Sequence, residues 1–349
     1  MAGFIVRGGN GVIWCSKPVG VALVGCGNMG RVHAQAIQHN KRCRLLWVFD
    51  TERARADQIL REFSAKFVTD HFETILQDPK VEGVILATPH HLHFEQVLQA
   101  LDAGKHVLVE KPMALNGEQA RQLCEHAKAV NRRLLVGQVM RFWPNVQKAR
   151  QSIQEGQIGR LRHVIRRRLV YQRDAGRPWA HQPDKSGGWL IHGVTVHEVD
   201  ALLYITGLQI KRVYALATCN NPIWQDIDEL SAVLEFEDGV VCSMTHSLNS
   251  HVTLLETTVI GDKGSIFLRD WNRGYALNGE WETLGDNQGF GDQLMDFIRA
   301  IREETISRVD AKSILPTMLI LDSTHMSASQ GKIINVSPFE IHSVKGNEL

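Results

Sequence analysis

The sequence predicts an α/β protein: an N-terminal doubly wound Rossmann domain, then an α+β domain with a large, mainly antiparallel open sheet. Three observations carry this. Val19 to Val24 is a short apolar run, followed by Gly25-Cys26-Gly27-Asn28-Met29-Gly30 and then by apolar residues at helical spacing. Short apolar runs then alternate with helical stretches as far as about residue 143, which argues a parallel sheet with crossover helices. Beyond that point strand candidates follow one another, separated by the turn signals Glu237-Asp238-Gly239 and Gly261-Asp262-Lys263-Gly264.

Each element has its own signal. Residues 1–17 are poorly patterned, and Gly8-Gly9-Asn10-Gly11 reads as a turn between short strands or as a loose extension. The second strand, Cys43 to Phe49, ends in Asp50. A helix ends near Phe63, Lys66 to Thr69 is a short strand, and Phe72 to Gln77 a short helix before Asp78-Pro79. Gly83 to Ala87 is a buried strand, and the helix after it runs to Ala103, where Gly104 suits a helix C-cap. His106 to Val109 is a strand, Glu118 to Val130 a helix and Leu134 to Val139 the last strand of the first domain. After the boundary come a helix at Val146 to Glu155, a strand at Leu161 to Tyr171 and one helix from Gly188 to Tyr204. Strands follow at Val213–Thr218, Glu229–Phe236, Val240–Leu248, Thr253–Ile260 and Ser265–Leu268, then helices at Gly291–Arg302 and Ala311–Gln330 and a strand at Ile333–Val336. The expected organisation is an extension over 1–17, a dinucleotide domain over 18–143 and a substrate-binding and oligomerisation domain over 144–349.

Composition bounds the function. The length of 349 residues allows two domains with separate cores. A formal charge of +1 gives no general case for nucleic acid. No apolar run approaches the length of a membrane span, and the N-terminus does not read as a signal peptide. The six cysteines are scattered without a CxxC pair, so neither a disulfide framework nor a metal site is expected. The expected compartment is the cytoplasm, and the expected partners are a small-molecule substrate and further copies of the chain. The Val-, Leu- and Ile-rich strands between 229 and 260 call for cover on both faces, which predicts a homodimer or homotetramer through that sheet.

The glycine turn has a physical reading. Gly25 permits the turn, Gly27 lets the backbone approach a pyrophosphate at a helix N-terminus, and Gly30 lets the helix pack close to the strand. Asn28 and Met29 lie in the same cradle. Asp50 stands where a carboxylate accepts the ribose hydroxyls and repels a 2′-phosphate, which favours NAD over NADP. Arg53 and Arg55 follow closely and weigh the other way.

Ligands of such sheets gather beyond the carboxyl ends of the strands. Three polar clusters stand there: Thr88-Pro89-His90-His91-Leu92-His93, Glu110-Lys111-Pro112 and Arg141-Phe142-Trp143-Pro144. Pro112 restrains Lys111, which could donate to a substrate oxygen or act as acid or base; the alternative is a surface lysine. Arg141 could bind a substrate oxygen or brace a domain junction. In the second domain His197 is the best imidazole candidate, with a structural histidine as the alternative. On a regular helix His192 lies well round from His197, and Asp200 can orient a helix or His197. Arg166, Arg167 and Arg168 alternate faces on a strand, and with Arg173, Arg177 and Trp179 suggest either a pocket for a carboxylate or polyhydroxylated ligand or solvated and subunit-contact charges.

The motifs VGCGNMG, TPHHLH, EKPMA, GQVMRFWP and VHEVD, in this order over roughly residues 19–337, resemble the glucose–fructose oxidoreductase and inositol dehydrogenase family. The resemblance implies an NAD-dependent oxidoreductase that moves a hydride between a secondary alcohol of an inositol-like polyol or sugar and nicotinamide. It implies Lys111 and His197 as catalytic residues, and Thr88, Pro89, His91, His93, Glu110 and Lys111 with the glycine turn and Asp50 around the cofactor. Arg141, Arg168, Trp179 and His192 join Lys111 and His197 as candidate substrate contacts. Many members carry an Asp four residues before the catalytic histidine, where this chain has Gly193, and many have Asn in place of His90. Those departures keep two alternatives open: a dehydrogenase of a carboxylated cyclic dihydrodiol, and a non-catalytic NAD-binding sensor.

Overall fold

The computed structural model describes residues 5–8, 11–14, 17–172, 174–269, 274–286, 288–303 and 305–336, with side chains from residue 17 onward. The chain divides into two compact units, Met1–Trp143 with Asp286–Ser313, and Pro144–Gly285 with Ile314–Leu349.

The first unit opens on an antiparallel hairpin, β1 (Ile5–Gly8) and β2 (Gly11–Trp14). Then β3 (Val19–Val24), α1 (Asn28–Gln38), β4 (Cys43–Phe49), α2 (Arg53–Glu62), β5 (Phe67–Thr69) and α3 (Phe72–Gln77) form the first half of a doubly wound sheet. The second half is β6 (Gly83–Leu86), α4 (His90–Asp102), β7 (His106–Val109), α5 (Gly117–Ala129) and β8 (Leu134–Val136). The six strands run parallel in the order β5-β4-β3-β6-β7-β8, so the order reverses at β3 and β6, beside the glycine turn. Every residue of β3 and β6 is buried, which is why both read as unbroken apolar runs. The last strand is shorter than its sequence suggests. The chain turns at Gly137 and enters a 3₁₀ turn at Val139–Phe142.

The second unit begins with α6 (Pro144–Gln154) and β9 (Leu161–Tyr171). A 3₁₀ turn at Pro178–His181 and the short α7 (Pro183–Ser186) precede the main departure from expectation. In place of one α-helix over Gly188–Tyr204, the chain forms a π-helix at Trp189–Thr195 and then α8 (Val196–Thr206). The Val196 N–H reaches back five residues to the Ile191 carbonyl, which marks the widened turn. Then β10 (Ile210–Thr218), β11 (Glu229–Phe236), β12 (Val241–Ser247), β13 (Asn249–Gly261), β14 (Ser265–Arg269), β15 (Gly274–Leu277) and β16 (Glu280–Trp281) complete the sheet.

The segment after residue 285 returns to the first unit, whereas the sequence reading kept everything beyond 143 in the second domain. Within it α9 (Gly289–Glu303) buries Leu294, Phe297 and Ile298 in the core built by Val19, Val21, Leu23 and Ile37. The Val136 N–H bonds the Val309 carbonyl at 2.9 Å and extends that sheet's edge. Finally α10 (Ala311–Gln330) and β17 (Ile334–Asn335) close the second unit's nine-stranded sheet, in the order β16-β15-β14-β13-β9-β12-β11-β10-β17. The pairing is antiparallel throughout except for β12 with β9, which is parallel. Among the described residues no helix is long and apolar enough to cross a membrane.

Candidate functional site

The first unit carries a dinucleotide cradle. Gly25 sits at φ +92°, and a Cβ there would stand 2.5 Å from the Ala87 carbonyl oxygen on the neighbouring strand end. A Cβ on Gly30 would stand 2.0 Å from the Gly25 oxygen, so only glycine lets α1 start this close to the turn. A Cβ on Gly27 meets nothing within 4 Å and would project into open space. That space faces the N-terminus of α1, whose first turn has no side-chain cap, with Asn28 exposed and Met29 half-buried. Unfilled backbone N–H groups above a bare Gly27 fit a pyrophosphate.

Asp50 is buried, and both of its oxygens are placed. Oδ2 accepts the Cys26 N–H at 2.8 Å and Oδ1 accepts the Glu52 N–H at 2.8 Å. Each carboxylate oxygen has a second lone pair, so the group can still accept ribose hydroxyls. Arg53 pairs with Asp57 at 3.0 Å and Arg55 with Glu52 at 2.8 Å, so both guanidiniums have acidic partners on their own segment. Cys26 is a packed residue with its thiol toward the Phe49 carbonyl, and burial pushes that thiol up to about 12.

At the ends of β6 and β7 the structure sorts the expected residues into two groups. Thr88, Pro89, His91 and Lys111 are partly accessible, with the Thr88 hydroxyl donating to Gln96 at 2.6 Å. Glu110 and His93 were expected at the cofactor, and both turn inward instead. Glu110 meets His33 Nε2 at 2.7 Å and accepts the Lys111 N–H at 3.3 Å. Burial alone would raise its pKa, but the hydrogen bond from His33 and the charge of Lys111 hold it below the ordinary carboxylate value. His93 has no exposed surface, and its ring nitrogens lie 2.7 Å from the Pro112 oxygen and 2.9 Å from the Thr88 oxygen. The Lys111–Pro112 peptide bond is cis. The Arg141 guanidinium donates to the Arg308 oxygen at 2.7 Å, to Ser313 Oγ at 3.0 Å and to the Ser313 oxygen at 3.2 Å. These bonds hold the returning segment within the first unit.

One helical stretch of the second unit presents a single accessible imidazole. From Gly188 to Leu203 every residue is buried except His197, which is half-buried. Gly193 has a packing cause, since a Cβ there would lie 2.7 Å from the Trp189 ring. An Asp would not fit at this position without moving that ring. The π-turn also changes the phase of His192. Five residues of α-helix rotate a side chain to about 140° from its starting direction, whereas the wider turn closes much of that angle. The expectation that His192 points well away from His197 therefore loses its basis. His192 is buried against Gly187, neither ring nitrogen makes a well-formed hydrogen bond among the described residues, and burial pushes its pKa down to about 4. Asp200 accepts the Thr317 hydroxyl at 3.2 Å and so orients α8 on α10.

The arginines of β9 also find a different use. Arg167 faces outward and pairs with Glu256, as the alternation predicts. Arg166 and Arg168 face inward, and both pair with Glu198 of α8, Arg168 at 2.6 Å. Burial alone would raise the Glu198 pKa, but the two guanidiniums outweigh it and hold the carboxyl low. Thus Arg168, a candidate substrate contact, has its charge met from within the fold. Arg173 lies outside the described residues. Trp179 stands edge-on to Trp189 at 5.9 Å, Trp189 stacks on Trp224 at 6.2 Å, and the Arg177 guanidinium lies 5.6 Å from the Trp189 ring centre. Sequence reasoning singled out Trp179 and not Trp189 or Trp224, which carry no periodic signal. It also missed Glu198, whose partners are distant in sequence.

Comparison with known proteins gives the same two parts. A family model described as "Oxidoreductase family, NAD-binding Rossmann fold" matches residues 19–138, and the Gfo/Idh/MocA C-terminal domain model matches 146–267. The scyllo-inositol 2-dehydrogenase (NAD(+)) of Bacillus subtilis is 31% identical over 254 residues, 71% of this chain and 72% of that protein. The D-glucoside 3-dehydrogenase of Escherichia coli is 24% identical over 343 residues, 90% of this chain and 97% of that protein. The structure of a levoglucosan dehydrogenase complexed with NADH superposes with a TM-score of 0.85 at 23% identity, covering 93% of this chain and 100% of that one. On these matches the chain belongs to the Gfo/Idh/MocA family, and it is an NAD-binding dehydrogenase acting on CH–OH groups.

Proposed function

We propose that the protein oxidises a secondary alcohol of a cyclic polyol or sugar, with Lys111 and His197 as the residues of the chemical step. The observation that carries this is the single accessible imidazole, His197, on an otherwise buried helical stretch. A histidine that merely filled the core would be buried like its neighbours. Its ring nitrogen takes the hydroxyl proton as general base, a role imidazoles fill near neutral pH. Lys111 donates to a substrate oxygen and stabilises the negative charge that develops there. NAD, when bound, accepts the hydride from the alcohol carbon; Gly25, Gly27, Gly30 and Asp50 would hold it. The reverse reduction uses the same two groups.

The substrate class draws support from relatives named for inositols and a glucoside. The alternative, a carboxylated cyclic dihydrodiol, called on Arg168 as a cation for the carboxylate. Pairing with Glu198 leaves that role without its main support. A sensor without turnover would share the cradle, but has no use for an accessible histidine on a buried helix. The test is a screen with NAD and NADP against cyclic polyols, sugars, sugar acids and dihydrodiols, following NADH formation. Turnover on neutral cyclic polyols or sugars is expected. Turnover confined to carboxylated diols would overturn the substrate class, and tight NAD binding with no turnover would favour the sensor.

A further inference from the structure

The buried histidine at the start of α4 has contacts that no neutral imidazole can satisfy. His93 Nδ1 lies 2.7 Å from the Pro112 oxygen and Nε2 lies 2.9 Å from the Thr88 oxygen. Carbonyl oxygens only accept. A neutral imidazole carries one N–H, so its other nitrogen would face a carbonyl lone pair with its own lone pair. Only the imidazolium donates to both. Burial is the largest influence on this ring and lowers its pKa, against the pull of the two carbonyls and the carboxylate of Glu110. The two short separations argue the other way, because a neutral ring would be pushed off one of the oxygens. Glu110 supplies the opposite charge close by, itself fully buried and hydrogen-bonded to His33. The remaining ionisable neighbours are Lys111, whose charge opposes the cation, and His90, whose ring centre is 5.9 Å away.

We propose that His93 is a positioning residue: its imidazolium, with Glu110 as counter-charge, ties the Thr88 loop to the Pro112 carbonyl and so fixes the turn that carries Lys111. The two carbonyls belong to different strand ends, β6 and β7, and the helix that bears His93 starts between them in sequence. One side chain thus sets the spacing of the loop beside the cradle and the turn beside the lysine. Backbone oxygens make good anchors for this purpose because they do not change rotamer. The link to turnover rests on Lys111 acting in the chemical step, as proposed above. The clamp itself does not.

The two parts are separable by experiment. In full-length protein with ¹⁵N-labelled histidine, the ring signals assigned by loss in His93→Gln should show both nitrogens protonated at pH 7. One protonated nitrogen at that pH would overturn the proposal without any activity measurement. For the positioning role, His93→Ala should lower kcat by about 10–100-fold, the scale expected when a reacting group is misplaced by about an ångström. In a Lys111→Ala background the same change should cost at most about 3-fold, since the residue it positions is gone. Equal losses in the two backgrounds would overturn the positioning role. His93→Gln, which keeps a donor and most of the volume, repeats the cycle if the alanine variant folds poorly. A fully active Lys111→Ala enzyme would refute the reading of Lys111, and the ring-nitrogen result would still decide the clamp.

Discussion

Asp50→Ala tests the cofactor cradle at the residue that joins its two halves. In the structure one oxygen accepts the Cys26 N–H inside the glycine turn and the other accepts the Glu52 N–H at the start of α2, each at 2.8 Å. Glu52 N–H can turn to water when the carboxylate is lost. Cys26 is buried and its N–H cannot, so the fold should lose about 1–3 kcal/mol, the cost of a stranded buried donor. Cofactor binding should lose more. Hydrogen bonds to a charged acceptor contribute about 1.5–3 kcal/mol each, so two ribose hydroxyls give a loss of at least 3 kcal/mol, roughly 10²-fold or more in Kd for NAD. Affinity for NADP should fall far less. A 2′-phosphate about 4 Å from Asp50 would meet repulsion on the order of 4 kcal/mol per unit charge at a surface-like dielectric, and that repulsion disappears. The assay is titration of wild type and variant with both oxidised cofactors in one buffer, beside thermal melts without cofactor. Wild type should prefer NAD, and the variant should lose most of that preference. An unchanged Kd for NAD in Asp50→Ala, or wild-type binding of NADP as tight as NAD, would refute the argument and point to Arg53 or Arg55 as phosphate partners.

Three further outcomes are expected. Glu198→Gln should destabilise the second unit by about 3–5 kcal/mol, because it leaves Arg166 and Arg168 buried without their shared counter-charge; a melt within about 1 kcal/mol of wild type would show that the pairing does not stabilise the fold. Stability should fall with acid well before ordinary carboxylates titrate. Burial pushes the folded-state pKa of His192 down to about 4 and that of His246 to about 3, while the unfolded chain takes up these protons near 6.5. The unfolded state therefore binds more protons below pH of about 6.5, so their contribution is full above that value and is lost as pH falls toward 4; a melting temperature that stays flat between pH 7 and pH 4.5 would contradict this. The outward face of the second sheet carries Tyr214, Leu216 and Val233 on neighbouring strands, all exposed, and a dimer or tetramer that covers them is expected; a monomeric mass by light scattering across micromolar concentrations would rule it out.

Much of this was legible in the sequence because it depends on local chemistry. Glycines 25 and 30 are fixed by backbone geometry and close approach, as their spacing suggests, while Gly27 borders open space. Strands β3, β4 and β6 follow from apolar runs bounded by turns. The phase of the helix bearing His197 was not legible. A π-turn has no composition signal, and here it accompanies a tryptophan ring that occupies the space beside Gly193. The fate of charged groups was the second blind spot. Arg141, Arg168, Glu110 and His93 all look like ligand contacts in sequence, since each is a polar group in or near a strand or its end. The structure answers three of them with partners more than 28 residues away and the fourth, His93, with backbone at two strand ends, contacts that no local pattern encodes. The return of α9 to the first unit was hidden for the same reason: its amphipathic stripe says only that it packs, not on which core.

The most direct test of the account is single-turnover hydride transfer in His197→Ala and Lys111→Ala, measured on a cyclic polyol or sugar substrate found in the screen, with NAD affinity determined separately. His197→Ala should slow transfer by roughly 10²–10⁴-fold, the contribution of a general base. Lys111→Ala should act on the same step, because its interaction strengthens as the oxygen becomes charged. NAD should bind both variants. Transfer at the wild-type rate in His197→Ala would contradict the central claim, and an accompanying loss of transfer in His192→Ala would move the base to the residue that the π-turn brings round.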